Sequence, residues 1–103
     1  ESESRSLNSI SLETAPEQVE LSQNYPNPFN PSTTISYGVP EKSSVRLTVY
    51  NVQGQEVATL VNRTREAGNY SVNFNASNLA SGVYIYRLNV GETTKTRKLM
   101  LVK

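Results

Sequence analysis

Four cations crowd the end of this chain. Lys95, Arg97, Lys98 and Lys103 surround the apolar run Leu99-Met100-Leu101-Val102. Cations around an apolar strand suit two kinds of chemistry. They can offer a basic strand to a partner by strand addition, or they can guard a sheet edge against aggregation. Upstream lies Ser81-Gly82-Val83-Tyr84. Gly82 permits a sharp turn with positive φ, and Tyr84 can bury a ring while keeping its hydroxyl for a partner. Glu17 and Glu20 form a close acid pair in the N-terminal stretch. Paired carboxylates do acid–base work when a cleft holds them roughly 5–9 Å apart, and a polar leader supplies no such cleft.

The missing residue types narrow the chemistry further. Histidine, cysteine, tryptophan and aspartate do not occur. Without histidine or cysteine there is no Ser-His-Asp or Cys-His nucleophile, and no zinc site or iron triad. Without aspartate there is no EF-hand loop. The expectation is a non-enzyme with no cofactor and no metal site. Nucleic acid is not an expected partner, because no RNP-like aromatic pattern accompanies the modest basic charge. No stretch reaches the apolar length of a membrane span. Residues 1–20 contain no apolar h-region, so an exported protein would carry its signal peptide further upstream.

The elements that must position these residues follow from length and patterning. The chain has 103 residues, enough for one domain whose core can stand without disulfides. Its net charge of +1 hides an asymmetry. Residues 1–41 hold one base and six acids; residues 42–103 hold nine bases and three acids. This pattern predicts a flexible acidic linker over residues 1–22, rich in Ser and Glu, ahead of a mildly basic domain over residues 23–103. Within the linker, Ser9-Ile10-Ser11-Leu12 alternates with period two and could form a short strand.

The domain opens on Asn24-Tyr25-Pro26-Asn27-Pro28-Phe29-Asn30-Pro31. Each proline fixes φ, removes a donor and pushes the residue before it toward an extended form. Residues 24–31 are therefore expected to be extended, with Tyr25 and Phe29 as the apolar anchors. The segment could dock in an aromatic groove, but its spacing is not PxxP. The simpler reading is that Tyr25 and Phe29 pin the segment to the domain while Pro26, Pro28 and Pro31 cap a sheet edge.

From Thr33 onward short alternating runs are separated by turn residues, which is an all-β signature. Val45, Leu47 and Val49 share one face. Asn51-Val52-Gln53-Gly54 suits a type I turn closed by a left-handed glycine. Val57 and Leu60 differ in parity, which a bulge would reconcile. Residues 63–68 read as a loop. Tyr70, Val72 and Phe74 alternate, as do Tyr84, Tyr86, Leu88 and Val90, and the strand after Gly82 should be central in its sheet. The last hairpin has two registers. A two-residue Gly91-Glu92 loop pairs Tyr84 with Leu99; a three-residue loop pairs Tyr84 with Met100. The longer loop is favoured here, since it keeps Lys95 and Arg97 off the core side. No helix is expected. The fold class is an all-β, immunoglobulin-like two-sheet β-sandwich of six to seven short strands.

Three separated motifs occur in a telling order: the proline segment running into Ser32-Thr33-Thr34-Ile35-Ser36-Tyr37, then Ser81-Gly82-Val83-Tyr84-Ile85-Tyr86-Arg87-Leu88, then Lys98-Leu99-Met100-Leu101-Val102-Lys103. In this the chain resembles the type A C-terminal sorting domain of bacterial type IX secretion cargo. The resemblance implies a non-catalytic address label at the end of a larger cargo polypeptide. It implies export from a Gram-negative bacterium, through the periplasm, to the cell surface or beyond. Its partners would be the outer-membrane translocation machinery and a sortase-like enzyme that cuts in the upstream linker, within residues 1–22, and attaches the cargo to lipopolysaccharide. Gly82, Val83, Tyr84, Lys98, Leu101 and Lys103 would be the recognition residues. Two other readings stand beside it. Flagellar hook-capping proteins carry a similar domain with related Pro-Asn-Pro-Phe and Gly-Val-Tyr elements. A carbohydrate-binding sandwich would need a planar aromatic platform, and the chain has no tryptophan.

Overall fold

Period-two alternation turns each run into a strand with one apolar face, and two such faces must meet to leave water. In the computed structural model, which describes residues 15–103, this yields seven strands and, among the described residues, no helix. They are β1 (Glu20–Leu21), β2 (Ser32–Val39), β3 (Ser43–Tyr50), β4 (Glu56–Arg65), β5 (Gly68–Asn75), β6 (Gly82–Val90) and β7 (Thr93–Leu101). They form a three-stranded sheet ordered β1-β2-β5 and a four-stranded sheet ordered β4-β3-β6-β7, with antiparallel pairing throughout. The expected two-sheet sandwich is the observed one.

The core is the contact between the sheets. Ile35, Tyr37 and Val39 of β2 and Phe74 of β5 meet Val45, Leu47 and Val49 of β3 and Tyr84, Tyr86, Leu88 and Val90 of β6. Strand β6 lies between β3 and β7, the central position expected for it. Between β3 and β4 the Asn51 carbonyl accepts from Gly54 N at 3.0 Å, and Gly54 takes φ 86°, a left-handed value that costs an L side chain energy and a glycine none. The parity conflict in β4 resolves into two register shifts against β3, one skipping Leu60 and one skipping Val57. Residues expected as a loop from Arg63 are instead strand as far as Arg65. The pairing of β3 continues without interruption through Val45↔Arg63 to Ser43↔Arg65.

Further expectations need correction. Pairing and burial begin ahead of residue 23, within the stretch expected as a flexible linker. Glu20 and Leu21 pair with Gly38 and Tyr37 of β2, and Val19 and Leu21 are buried in the core. Two apolar residues at spacing two sufficed to add a short edge strand. Pro16 lies over the outer side of the same sheet, so close that a Cβ on Gly38 would stand 2.7 Å from Pro16 Cγ. The possible strand at residues 9–12 lies outside the described residues.

The last hairpin uses the two-residue loop, not the longer one. Val90 pairs with Thr93, Leu88 with Lys95, Tyr86 with Arg97 and Tyr84 with Leu99. The argument against this register was that it turns Lys95 and Arg97 toward the core side. The opposing sheet is reduced there to the two-residue β1, however, so residues 93–98 all stay exposed, and Arg97 reaches across to Leu21 O instead of entering the core. The observed register buries Leu99 and Leu101 and leaves Met100 outside.

Another correction is Tyr25. It is 81% exposed, whereas Phe29 is buried against Phe74 with ring centroids 6.1 Å apart. Of the two rings, only Phe29 anchors the proline segment. Tyr25 forms an isolated bridge to Thr34, which is itself exposed, so its side chain takes the outer face. The segment is not one extended run either. It bends between Tyr25 and Phe29 because it bridges two sheets: Tyr25 pairs with β2, and Phe29 pairs in parallel with Leu101 of β7.

Candidate recognition surface

Strand β7 is the edge of the four-stranded sheet, so every second residue turns its N–H and C=O away from β6. At its C-terminal half these groups are taken by the proline segment. Phe29 N donates to Met100 O at 3.0 Å, and Val102 N donates to Phe29 O at 2.9 Å. Met100 N donates to the Asn27 side-chain oxygen at 3.0 Å, and Gln23 Nε2 donates to Lys98 O at 2.7 Å. Residues 23–29 thus form a strap along the edge of the last strand. The segment runs along the C-terminal strand, and its bonds to that strand come from Gln23, Asn27 and Phe29, none from the prolines expected to cap an edge.

A buried polar cluster fixes the strap. Tyr86 donates its hydroxyl proton to Ser22 O at 2.7 Å and accepts from Asn24 N at 2.9 Å. Asn24 Nδ2 donates to Thr33 Oγ1 at 3.0 Å and Pro26 O at 3.1 Å, and Thr33 Oγ1 donates to Pro26 O at 2.8 Å. Asn24 and Thr33 are buried, so each unmade bond would carry a full desolvation cost. Burial pushes the Tyr86 phenol above its ordinary value, against the opposing pull of the Asn24 N–H and the Arg97 charge. Arg97 also closes the gap between the sheets: its Nε donates to Leu21 O at 2.6 Å.

The residues named from the sequence fall into two groups. Gly82 (φ 150°) and half-exposed Val83 begin β6, and no atom lies within 4 Å of a Cβ placed on Gly82. Its backbone angle, not crowding, asks for glycine there. Lys98 stands exposed on the outer face opposite Ile85. Lys103 is exposed too, but Nζ donates to Ser77 O at 2.8 Å and its N–H to Ser81 Oγ at 3.1 Å. Leu101 and Tyr84 are core residues. The Tyr84 hydroxyl is not spare: it donates to Ala80 O at 2.6 Å. Reading the sequence passed over Gln23, Asn24 and Asn27. The available signal was asparagine recurring between prolines, a side chain that substitutes for backbone partners where proline has none to give.

The outer face around β7 is therefore built from both ends of the domain. A cleft of about 290 Å³ there is lined by Gln23, Asn27, Val83, Lys98, Leu99 and Met100. Met100 and Val102 are among the few large apolar side chains left exposed. No curated protein matches the chain. A family model described as the secretion system C-terminal sorting domain matches residues 23–103, beginning at the strap and ending one residue beyond Val102, the last residue the strap bonds. The match spans most of the sequence, and the chain belongs to this family of type IX secretion C-terminal sorting domains.

Proposed function

We propose that the chain is the routing signal of a larger exported polypeptide and that the machinery contacts the outer face of β7. The sorting role and the surface or extracellular destination follow from the family. We infer the finer steps. The cargo lies ahead of residue 1, crosses a Gram-negative periplasm, and is cut from the domain in the linker before surface attachment. Val19 is buried and Glu20–Leu21 is paired, which supports a cut ahead of Val19. The domain itself performs no chemistry.

One observation carries the reading: residues 23–29 are bonded along residues 98–102. The two ends of the family match form one surface, which a receptor can read only in the folded domain. To test this, a passenger is fused ahead of Glu1 in a bacterium with type IX secretion. Lys98→Ala with Lys103→Ala removes exposed charges, a change usually within about ±0.5 kcal/mol of neutral for stability. The double variant should keep its melting curve and lose surface delivery. Normal delivery by the folded variant would reduce these lysines to edge protection. Mass spectrometry of the released passenger locates the cut, and a new terminus at or beyond Val19 would contradict its proposed place.

A further inference from the structure

The strap covers only part of β7. Lys98 O, Met100 N and O, and Val102 N are all bonded to residues 23–29. These are even-numbered residues, so the same parity turns the N–H and C=O of Thr94 and Thr96 to the outside. Among the described residues nothing bonds to them. The stretch is regular as well, since the pairing of β7 with β6 runs through nine residue pairs without a register shift.

Thr96 is flanked by a cleft on each face of the sheet. One, of about 350 Å³, lies between β1 and β7 and is lined by Val19, Glu20, Leu21, Lys95, Thr96 and Arg97. The other, of about 410 Å³, lies on the outer side and is lined by Gln23, Ile85, Thr96, Arg97 and Lys98. A strand laid along this edge would drop successive side chains alternately into the two clefts. Main-chain bonds plus alternating pockets are what strand addition requires. Charge selects the occupant. Lys95, Arg97 and Lys98 line the clefts against the single carboxylate of Glu20. The ion pairs among the described residues, Lys42–Glu66 and Arg46–Glu56, involve none of them.

We propose that residues 93–97 of β7 are a strand-addition site for an acidic extended segment of a partner protein, with the strap setting the end of the site. In assigning that partner to the export machinery, the proposal rests on the sorting reading above.

The probe is a capped hexapeptide alternating Glu and Val, added to the full chain. Amide exchange followed by NMR should show Thr94 and Thr96 exchanging freely alone and slowed by the peptide. N-methylating the peptide's edge-facing amides should weaken it about tenfold, the equivalent of one or two lost hydrogen bonds. Lys95→Gln with Lys98→Gln, or a rise in salt, should weaken it several-fold. Thr96→Pro, a substitution that free edges tolerate, should abolish binding. If Thr96→Pro unfolds the domain, the N-methylated peptide tests the same bond on the unaltered chain. No slowing at Thr94 and Thr96, equal binding of the N-methylated peptide, or equal binding of a Lys–Val peptide each overturns the proposal. In the passenger assay, export of folded Thr96→Pro while the Lys98, Lys103 double variant is retained sinks the strand-addition site alone. Export of both removes β7 from the sorting reading as well.

Discussion

The four-stranded sheet ends in two edges, β4 and β7, and they are protected in opposite ways. Strand β4 protects itself. Two register shifts break its pairing with β3, at Leu60 and at Val57, and Arg63 and Arg65 add charge. Bulges and cations of this kind spoil an edge as a template for another chain. Strand β7 is regular throughout and is covered by a segment about seventy residues away in sequence, which leaves residues 93–97 bare. An edge disabled from within is finished. An edge covered from outside can be kept regular, partly open and chemically specific. This difference is why the proposed partner is placed at β7 rather than at β4.

The comparison breaks first at Phe29. If the strap is anchored by that one ring, Phe29→Ala should destabilise by about 3–5 kcal/mol, as for other buried aromatic truncations. It should also speed exchange of the Val102 amide, while β4 amides follow only global unfolding. A denaturant midpoint close to that of the parent would show that the strap hangs on its hydrogen bonds.

Next comes the boundary upstream of the strap. Leu21 lies outside the family match yet is buried. Leu21→Ala should cost about 2 kcal/mol, the low end for a buried leucine, because its strand is at an edge. No shift in midpoint would return β1 to the linker.

Tyr86→Phe removes the hydroxyl that bonds Ser22 and Asn24, at a cost of about 1–3 kcal/mol if Asn24 N is left unpaired. Its pH dependence has a definite sign. The folded phenol holds its proton above the ordinary value of 10.0, so the unfolded chain releases it first. The contribution is complete below about pH 10 and is lost as pH rises through the folded-state value. Melting temperatures across the alkaline range should fall less steeply for Tyr86→Phe than for the parent.

The smallest effects separate the two edges most directly. Asn27→Ala should cost about 1 kcal/mol or less and speed exchange at Met100, whose N–H loses its acceptor. Arg46→Ala breaks an exposed pair with Glu56 beside β4, 3.1 Å apart, and should change stability by no more than ~0.5 kcal/mol. Equal and large effects at both sites would mean that the β4 edge, too, depends on contacts beyond its own bulges.

Local patterning made much of this legible. Alternation marked the strands, Gly54 closed the turn between β3 and β4, and the parity clash of Val57 and Leu60 signalled a bulge, because facing is a property of each strand alone. The residues proposed for recognition were half legible. Lys98 and Gly82 could be named from type and position. Whether Tyr84 kept a free hydroxyl could not, since its acceptor is the Ala80 carbonyl, and turn geometry places it.

What sequence by itself determined was therefore the β class, the two-sheet layering, the basic C-terminal strand and the family motifs. Tertiary structure alone decided the register of the last hairpin, the exposure of Tyr25 beside the burial of Phe29, and the meeting of residues 23–29 with residues 98–102. Register turns on where the opposing sheet stops covering β7, and a one-residue slip is invisible to a period-two pattern once the charged half overhangs. The strap is a pairing between segments distant in the chain. Its bonds run from asparagine, glutamine and backbone groups whose identities are common and whose partners only folding brings within reach.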